Sequence, residues 1–162
     1  MPRTHSTVDS PCGPLTLVAE GDALCGLYMD LQRHRPADST FGSLDPGAPI
    51  FARAETELKE YFAGQRREFE VPLAFAGTPF QRLVWTALRE IPYGETMSYG
   101  ELAERLGKPS AARAVGLANG KNPIGIIVPC HRVVGSNGSL TGYGGGLERK
   151  RYLLDFEQGA LF

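Results

Sequence analysis

Turn-forming clusters at residues 10–14 and 20–22 cut the start of this chain into pieces with room only for short strands, and this punctuation constrains its fold more than any other feature. Residues 5–9, 15–19 and 24–29 read as those strands. Residues 35–49, rich in Pro, Gly, Asp and Ser, read as a loop. Beyond it, Ile50, Ala54, Leu58, Tyr61 and Phe62 recur at the helical period, which predicts a helix with Pro49 at its start and Gly64 just past its end. Residues 69–73 read as a further strand. The first half is thus a small sheet with one packed helix, and it carries no obvious chemistry.

Residues 76–78 read as a linker, after which the period becomes helical. Thr78 is placed to cap a helix beginning at Pro79. Its apolar face holds Phe80, Leu83, Val84, Ala87, Leu88 and Ile91, and Pro92 and Gly94 end it. Ser98 and Glu101 have the spacing of a capping box, and the helix they start runs through Leu102, Ala103 and Leu106 to a stop at Gly107. Ser110 reads as the cap of a second helix, with Val115 and Ala118 inward and Asn119 and Gly120 at its end. Two short helices joined by a turn of about four residues fit a helix-turn-helix and an ordinary helical hairpin alike. The second is small-faced, with Ala111, Ala112, Ala114, Gly116 and Ala118 around a single Arg113. Such a face lets a backbone approach a partner closely, while Arg113 by itself also reads as a plain surface residue. A last helix spans residues 147–157 and packs through Leu153, Leu154 and Phe156. Glu157 falls near its C-terminal end, where the helix dipole disfavours a negative charge, so it is either solvated or paired.

Hydrophobic residues make up 42% of the chain, enough for a core. No apolar run approaches the ~20 residues of a membrane span, and residues 1–10 lack the pattern of a signal peptide, so the expected location is the cytoplasm. The net charge of −1 hides an asymmetry. Residues 1–77 hold seven Lys and Arg against eleven Asp and Glu, a net −4, and residues 78–162 hold ten against seven, a net +3. The second half is the one suited to a polyanion. Three cysteines, Cys12, Cys25 and Cys130, with no CxxC pair, indicate neither a disulfide framework nor a zinc ribbon. Cys12, Cys25 and His34 are irregularly spaced, and no metal is expected there.

The chemistry gathers after the small-faced helix. Residues 124–128 are apolar and read as a buried strand. Pro129 then ends it in a stiff turn, and Cys130, His131 and Arg132 follow in succession. Thiolate is the nucleophilic form of cysteine, and a neighbouring imidazole or guanidinium favours it. Buried inert cysteine is the common alternative. Neighbouring residues on a strand point opposite ways, so a Cys–His link needs a bend here or a water between them. Residues 135–146 are turn-rich and include Tyr143 followed by three glycines, a loop able to lie close to a ligand.

The run Pro129-Cys-His-Arg-Val133, with Asn122 eight residues before the cysteine, resembles the signature of the O6-alkylguanine-DNA alkyltransferases. The similarity extends from about Thr78 to Glu157. It takes in residues 80–85, 91–96 and 98–103, the Ala112-Arg-Ala-Val-Gly116 segment and the Tyr143-Gly-Gly-Gly146 loop. The opening Asp9-Ser-Pro segment, running to Leu15, also fits the family's first domain. The resemblance implies an α+β fold. A small ribonuclease-H-like sheet domain would occupy residues 1–77, and a helical, winged helix-turn-helix-like domain residues 78–162. It implies DNA repair by direct damage reversal: a single-turnover methyltransferase moves an alkyl group from O6-alkylguanine, and from O4-alkylthymine, to Cys130. His131 would be a general base acting through a water, with Glu157 orienting it. Asn122 would brace the turn, and Tyr99 would give a proton or hydrogen bond to the departing guanine. Arg113 would fill the stack after base flipping, with Ala111, Ala112, Gly116 and Ser98 against DNA. Tyr143, Gly144, Val133 and Trp85 would wall the pocket, the carbonyls of Cys130 and Val133 reading the exocyclic amine. The implied partner is alkylated double-stranded DNA, approached from the minor groove by a monomer, with no cofactor and no membrane. Gly144 stands where some relatives have Ser, which bears on substrate size. Two other readings remain. A lesion-binding module without chemistry would lack the acceptor cysteine, which is present. A cysteine hydrolase would need a distant histidine, and only His5 and His34 lie outside the signature.

Overall fold

The computed structural model describes residues 2–140, 143 and 145–159. Backbone contacts divide the chain into two compact units, Met1–Ala76 and Gly77–Phe162.

In the first unit, β1 (Arg3–Val8), β2 (Leu15–Glu20) and β3 (Ala23–Met29) form an antiparallel meander. The turn clusters read from the sequence separate them. A short strand, β4 (Ser43–Leu44), emerges from the Pro- and Gly-rich loop and pairs in parallel with β1, giving the order β3-β2-β1-β4. Gly42 makes this possible: its φ is +76°, and a Cβ there would stand 1.7 Å from the Arg3 carbonyl oxygen. Helix α1 (Pro49–Phe62) lies against β1 and β2 and buries Ile50, Phe51, Ala54, Leu58 and Tyr61.

The strand expected at residues 69–73 does not form, apart from one bridge between Leu73 and Leu24. The buried carboxylate of Glu57 on α1 accepts the backbone N–H groups of Glu70 (2.9 Å) and Val71 (3.1 Å). A side chain therefore satisfies the donors that a neighbouring strand would otherwise take.

In the second unit, α2 (Pro79–Leu88) starts at a full capping box. The Thr78 hydroxyl accepts the Gln81 amide at 3.1 Å, and the Gln81 carboxamide accepts the Thr78 amide at 3.0 Å. The buried face of α2 is Val84, Trp85, Ala87 and Leu88. Leu83 is exposed instead, and the helix stops at Leu88, ahead of Pro92. After β5 (Met97–Ser98), helix α3 (Tyr99–Arg105) begins at the Ser98 and Glu101 box. The expected Ser110 cap is absent. Pro109–Ala111 form a 3-10 turn, and α4 (Ala112–Gly120) follows Ala111 with no side-chain cap. Ser110 falls inside that 3-10 turn, one residue before the N-cap position of α4, so its hydroxyl is not at the position that caps the helix. A second 3-10 turn, Cys130–Arg132, leads into β6 (Val133–Val134), which pairs in parallel with β5. Helix α5 (Leu147–Glu157) closes the unit and buries Leu153, Leu154 and Phe156. No helix among the described residues is long and apolar enough to cross a membrane.

The Thr78 box is local and exposed, so its effect is separable from packing. Thr78→Ala is expected to lower the stability of this unit by about 1 kcal/mol, read from the urea unfolding midpoint, with no change in far-ultraviolet circular dichroism of the native state.

Candidate functional site

Residues 124–128 are buried, but they are a chain of tight turns and no strand. Val128 N–H bonds the Ile124 carbonyl at 3.0 Å, Ile127 N–H the Gly125 carbonyl at 2.8 Å, and Cys130 N–H the Val128 carbonyl at 2.8 Å. Ile126 sits at φ +69°, a left-handed conformation that costs a β-branched residue of order 1–3 kcal/mol. Asn122 offsets that cost. Its Oδ1 accepts the Ile124 amide at 3.0 Å, and its Nδ2 donates to the Val128 carbonyl at 2.9 Å. One carboxamide thus stands in for the missing strand partner. Asn119, at the end of α4, reaches the same turn and donates to the Cys130 carbonyl at 3.3 Å.

Cys130 and His131 lie in a 3-10 turn, so the backbone is bent here where a strand would be extended. His131 is fully buried, and its Nε2 lies 2.7 Å from Oε2 of Glu157. Glu157 also accepts two bonds from the Arg132 guanidinium, Nε to Oε1 at 2.8 Å and Nη2 to Oε2 at 3.0 Å. The remaining Arg132 nitrogen, Nη1, donates to the Ile91 carbonyl at 2.6 Å. Burial opposes ionisation of Glu157, yet the hydrogen bonds and charges of His131 and Arg132 together hold its carboxyl well below the usual carboxylate range. Burial pushes the His131 imidazole down against the pull of Glu157, so the ring is neutral. A carboxylate only accepts, so Nε2 carries the ring proton and Nδ1 is a lone pair. That Nδ1 is buried, with no hydrogen-bond partner among the described residues.

The thiol's surroundings differ from those the sequence suggests. Cys130 is 6% exposed, and burial pushes its thiol up, so the resting sulfur is protonated and the expected thiolate is not the ground state. Arg132 is spent on Glu157. The groups that favour the thiolate are a hydrogen bond with Asn122 and the charge of Lys150. Lys150 was missed by the sequence reading, although a signal exists: it stands three and four residues before Leu153 and Leu154, on the buried face of α5. Its side chain is fully buried, its Nζ donates to the Val133 carbonyl at 2.5 Å, and it lies 6.0 Å from the centroid of the Tyr99 ring. Burial lowers it to about 8, with Cys130 pulling the other way.

Of the remaining candidates, Tyr99 opens α3 and is half-buried, and Gly116 faces its ring: a Cβ on Gly116 would stand 3.6 Å from Tyr99 Cδ1. Ala111 and Ala112 are partly exposed at the start of α4, Ser98 is the N-cap of α3, and Arg113 is exposed. Val133 is buried in β6, and Tyr143 is buried. Gly144 lies outside the described residues. Trp85 is in the interior, its indole N–H donating to the Ala118 carbonyl at 2.8 Å, and so ties α2 to α4. Among the described residues, no group of three or more His, Cys, Asp or Glu side chains stands together as a metal would require.

Residues 79–159 match the family described as 6-O-methylguanine DNA methyltransferase, DNA binding domain, and residues 4–75 its ribonuclease-like domain. A methylated-DNA--protein-cysteine methyltransferase of Mycobacterium tuberculosis is 57% identical over 154 residues, covering 95% of this chain and 92% of that protein. The constitutive enzyme of the same name from Bacillus subtilis is 43% identical over 156 residues, covering 95% and 94%. The crystal structure of Mycobacterium tuberculosis OGT in complex with DNA superposes with a TM-score of 0.89 at 56% identity, over 96% of this chain and 93% of that one.

Asn122 makes the sharpest structural demand. Asn122→Ala leaves the Ile124 amide unpaired in the interior and takes from the Val128 carbonyl one of its two donors, the Cys130 amide remaining. It is expected to cost about 2–4 kcal/mol in urea unfolding, with a matching rise in amide exchange across residues 122–130.

Proposed function

The chain belongs to the O6-alkylguanine-DNA alkyltransferase family, a methyltransferase family that repairs DNA by direct reversal with a protein cysteine as acceptor, and from that premise we propose that Cys130 is the acceptor and that His131, held by Glu157, takes its proton. The observation that carries this reading is the neutral Nδ1, without a hydrogen-bond partner among the described residues, of a histidine whose other nitrogen is fixed on a carboxylate, one residue from the thiol. A buried thiol is a poor nucleophile until it loses its proton, and a buried neutral imidazole at the next residue is a base able to take it. A bridging water would relay the proton.

The transfer then balances in one displacement. The sulfur forms a bond to the alkyl carbon as the carbon–oxygen bond breaks, and its electron pair stays on O6 of guanine. The base takes up a proton, for which the Tyr99 hydroxyl is the proposed donor, while Lys150 beside that ring offsets negative charge developing there. The carbonyls of Cys130 and Val133 are the proposed acceptors for the exocyclic amine. The thioether product has no path back, so each molecule acts once. No cofactor is required.

DNA is the partner. The finer picture is an alkylated base extruded from the minor-groove side by a monomer, with α4 as the recognition helix. Ala111, Ala112 and Gly116 give α4 a low profile, and exposed Arg113 stands ready to fill the vacated stack. Tyr143 and Gly144 are proposed to wall the pocket. Trp85 is better placed to brace the helices around it than to touch a base.

Intact-mass analysis after incubation with duplex DNA carrying one O6-methylguanine should show a gain of one CH2 per chain, located on Cys130, with no second turnover. Cys130→Ala should gain nothing. An unchanged mass alongside tight lesion binding would support the binding-module reading instead. Arg113→Ala should slow methyl transfer from duplex DNA roughly tenfold and leave transfer from the free alkylated base unaltered, since only the duplex requires extrusion.

A further inference from the structure

The reading above gives roles to Cys130, His131 and Glu157, but not to Arg132, whose guanidinium is among the most heavily engaged groups in the unit. It is 6% exposed, binds both oxygens of Glu157, anchors on the Ile91 carbonyl and lies 5.7 Å from the centroid of the Tyr93 ring. A surface ion pair would be worth little, but this one is desolvated on both sides. Oε2 of Glu157 is shared, accepting at 2.7 Å from His131 and at 3.0 Å from Arg132. The guanidinium and the imidazole therefore compete for one negative charge.

We propose that Arg132 is a positioning residue for alkyl transfer: by neutralising Glu157 through a bidentate bond, it lets the carboxylate orient His131 without protonating it, and so keeps the Nδ1 lone pair available as a base.

The charges around the ring support this. His131 faces Glu157 and Lys150 on α5, and its chain neighbours in the 3-10 turn are Cys130 and Arg132. With the ring neutral, Arg132 and Glu157 cancel and Lys150 remains. Protonating His131 would place a further positive charge in the same desolvated volume. Both Arg132 and Lys150 push the imidazole toward its neutral form, and Glu157 alone pulls the other way. Without the guanidinium, Glu157 and a protonated His131 would form a matched buried pair, and the base would be consumed before it met the thiol. A carboxylate that orients a histidine at a buried site also tends to charge it, and Arg132 separates the two effects.

This inference rests on His131 acting as the base, and its test is built so that the two can fail separately. The probe is the protonation state of His131, followed by nitrogen-15 chemical shifts on selectively labelled full-length protein, with His131→Gln used for assignment. The wild-type ring should be neutral and Nε2-protonated at neutral pH, with its midpoint below that of a free imidazole. In Arg132→Gln its midpoint should rise by about 1–3 pH units. The acid limb of the methyl-transfer rate should rise by the same amount, roughly tenfold in rate per pH unit at fixed acidic pH, with recovery at alkaline pH. Arg132→Lys keeps the charge but loses the fork, so it should keep the neutral ring while slowing transfer uniformly across pH.

If Arg132 only held the backbone, both variants would lose rate at every pH and the histidine midpoint would not move. That result overturns the proposal, as does a wild-type imidazolium at neutral pH. Should Arg132→Gln fail to fold, the wild-type titration and Arg132→Lys still decide, because a charged ring in either contradicts it. A wild-type chain with the expected neutral ring but no mass gain on Cys130 would instead remove the alkyl-transfer reading.

Discussion

The bidentate bond between Arg132 and Glu157 is the interaction on which the C-terminal unit depends. It joins three pieces of chain that are distant in sequence: the 3-10 turn carrying the thiol, the last turn of α5, and through the Ile91 carbonyl the segment after α2. Leaving either charge alone in that interior would cost about 3–5 kcal/mol, a large share of the stability of an ordinary domain. Glu157 also sits at the C-terminal end of its helix, where the dipole resists a carboxylate, and His131 and Arg132 together hold it there. The group that orients the histidine is thus one the unit cannot lose without loosening its own core.

The thiol shows a second trade between reactivity and protection. Burial holds Cys130 protonated, although Asn122 and Lys150 both favour the thiolate. A cysteine that is used once gains from staying inert until its substrate arrives, because exposed thiolates are the ones that oxidise. On the proposed mechanism, proton removal is coupled to the displacement itself, with His131 already held in its neutral form. The same residue shapes the turn and the surroundings of the thiol. Asn122 closes the strained loop around Ile126 and also favours the thiolate of Cys130, so one side chain shapes both the loop and the thiol's surroundings.

How much of this was legible in the sequence depended on how local each determinant is. The Thr78 and Ser98 capping boxes, the turn clusters around β2 and the proline at the start of α1 act within four residues, and the elements they announce are present. The misreadings share a tertiary cause. Residues 69–73 look like a strand, but their amides are claimed by Glu57 from a helix. Residues 124–128 look like one too, and their apolar character is honoured by burial, but Asn122 folds them into turns. Lys150 went unread in the sequence and is fully buried, against the Val133 carbonyl and near the Tyr99 ring.

The sequence by itself determined the family, the order of elements and the small set of groups able to do chemistry. Residue types and their near neighbours are chemical facts that need no fold to be read. Only the tertiary structure decided which of those groups meet, and in what charge state. The adjacency of Cys130, His131 and Arg132 suggested that both basic residues serve the thiol, yet the fold turns Arg132 and His131 toward one carboxylate and gives the sulfur Asn122 and Lys150. Charge state depends on desolvation and on distances between residues far apart in the chain, and neither quantity exists until the chain has folded.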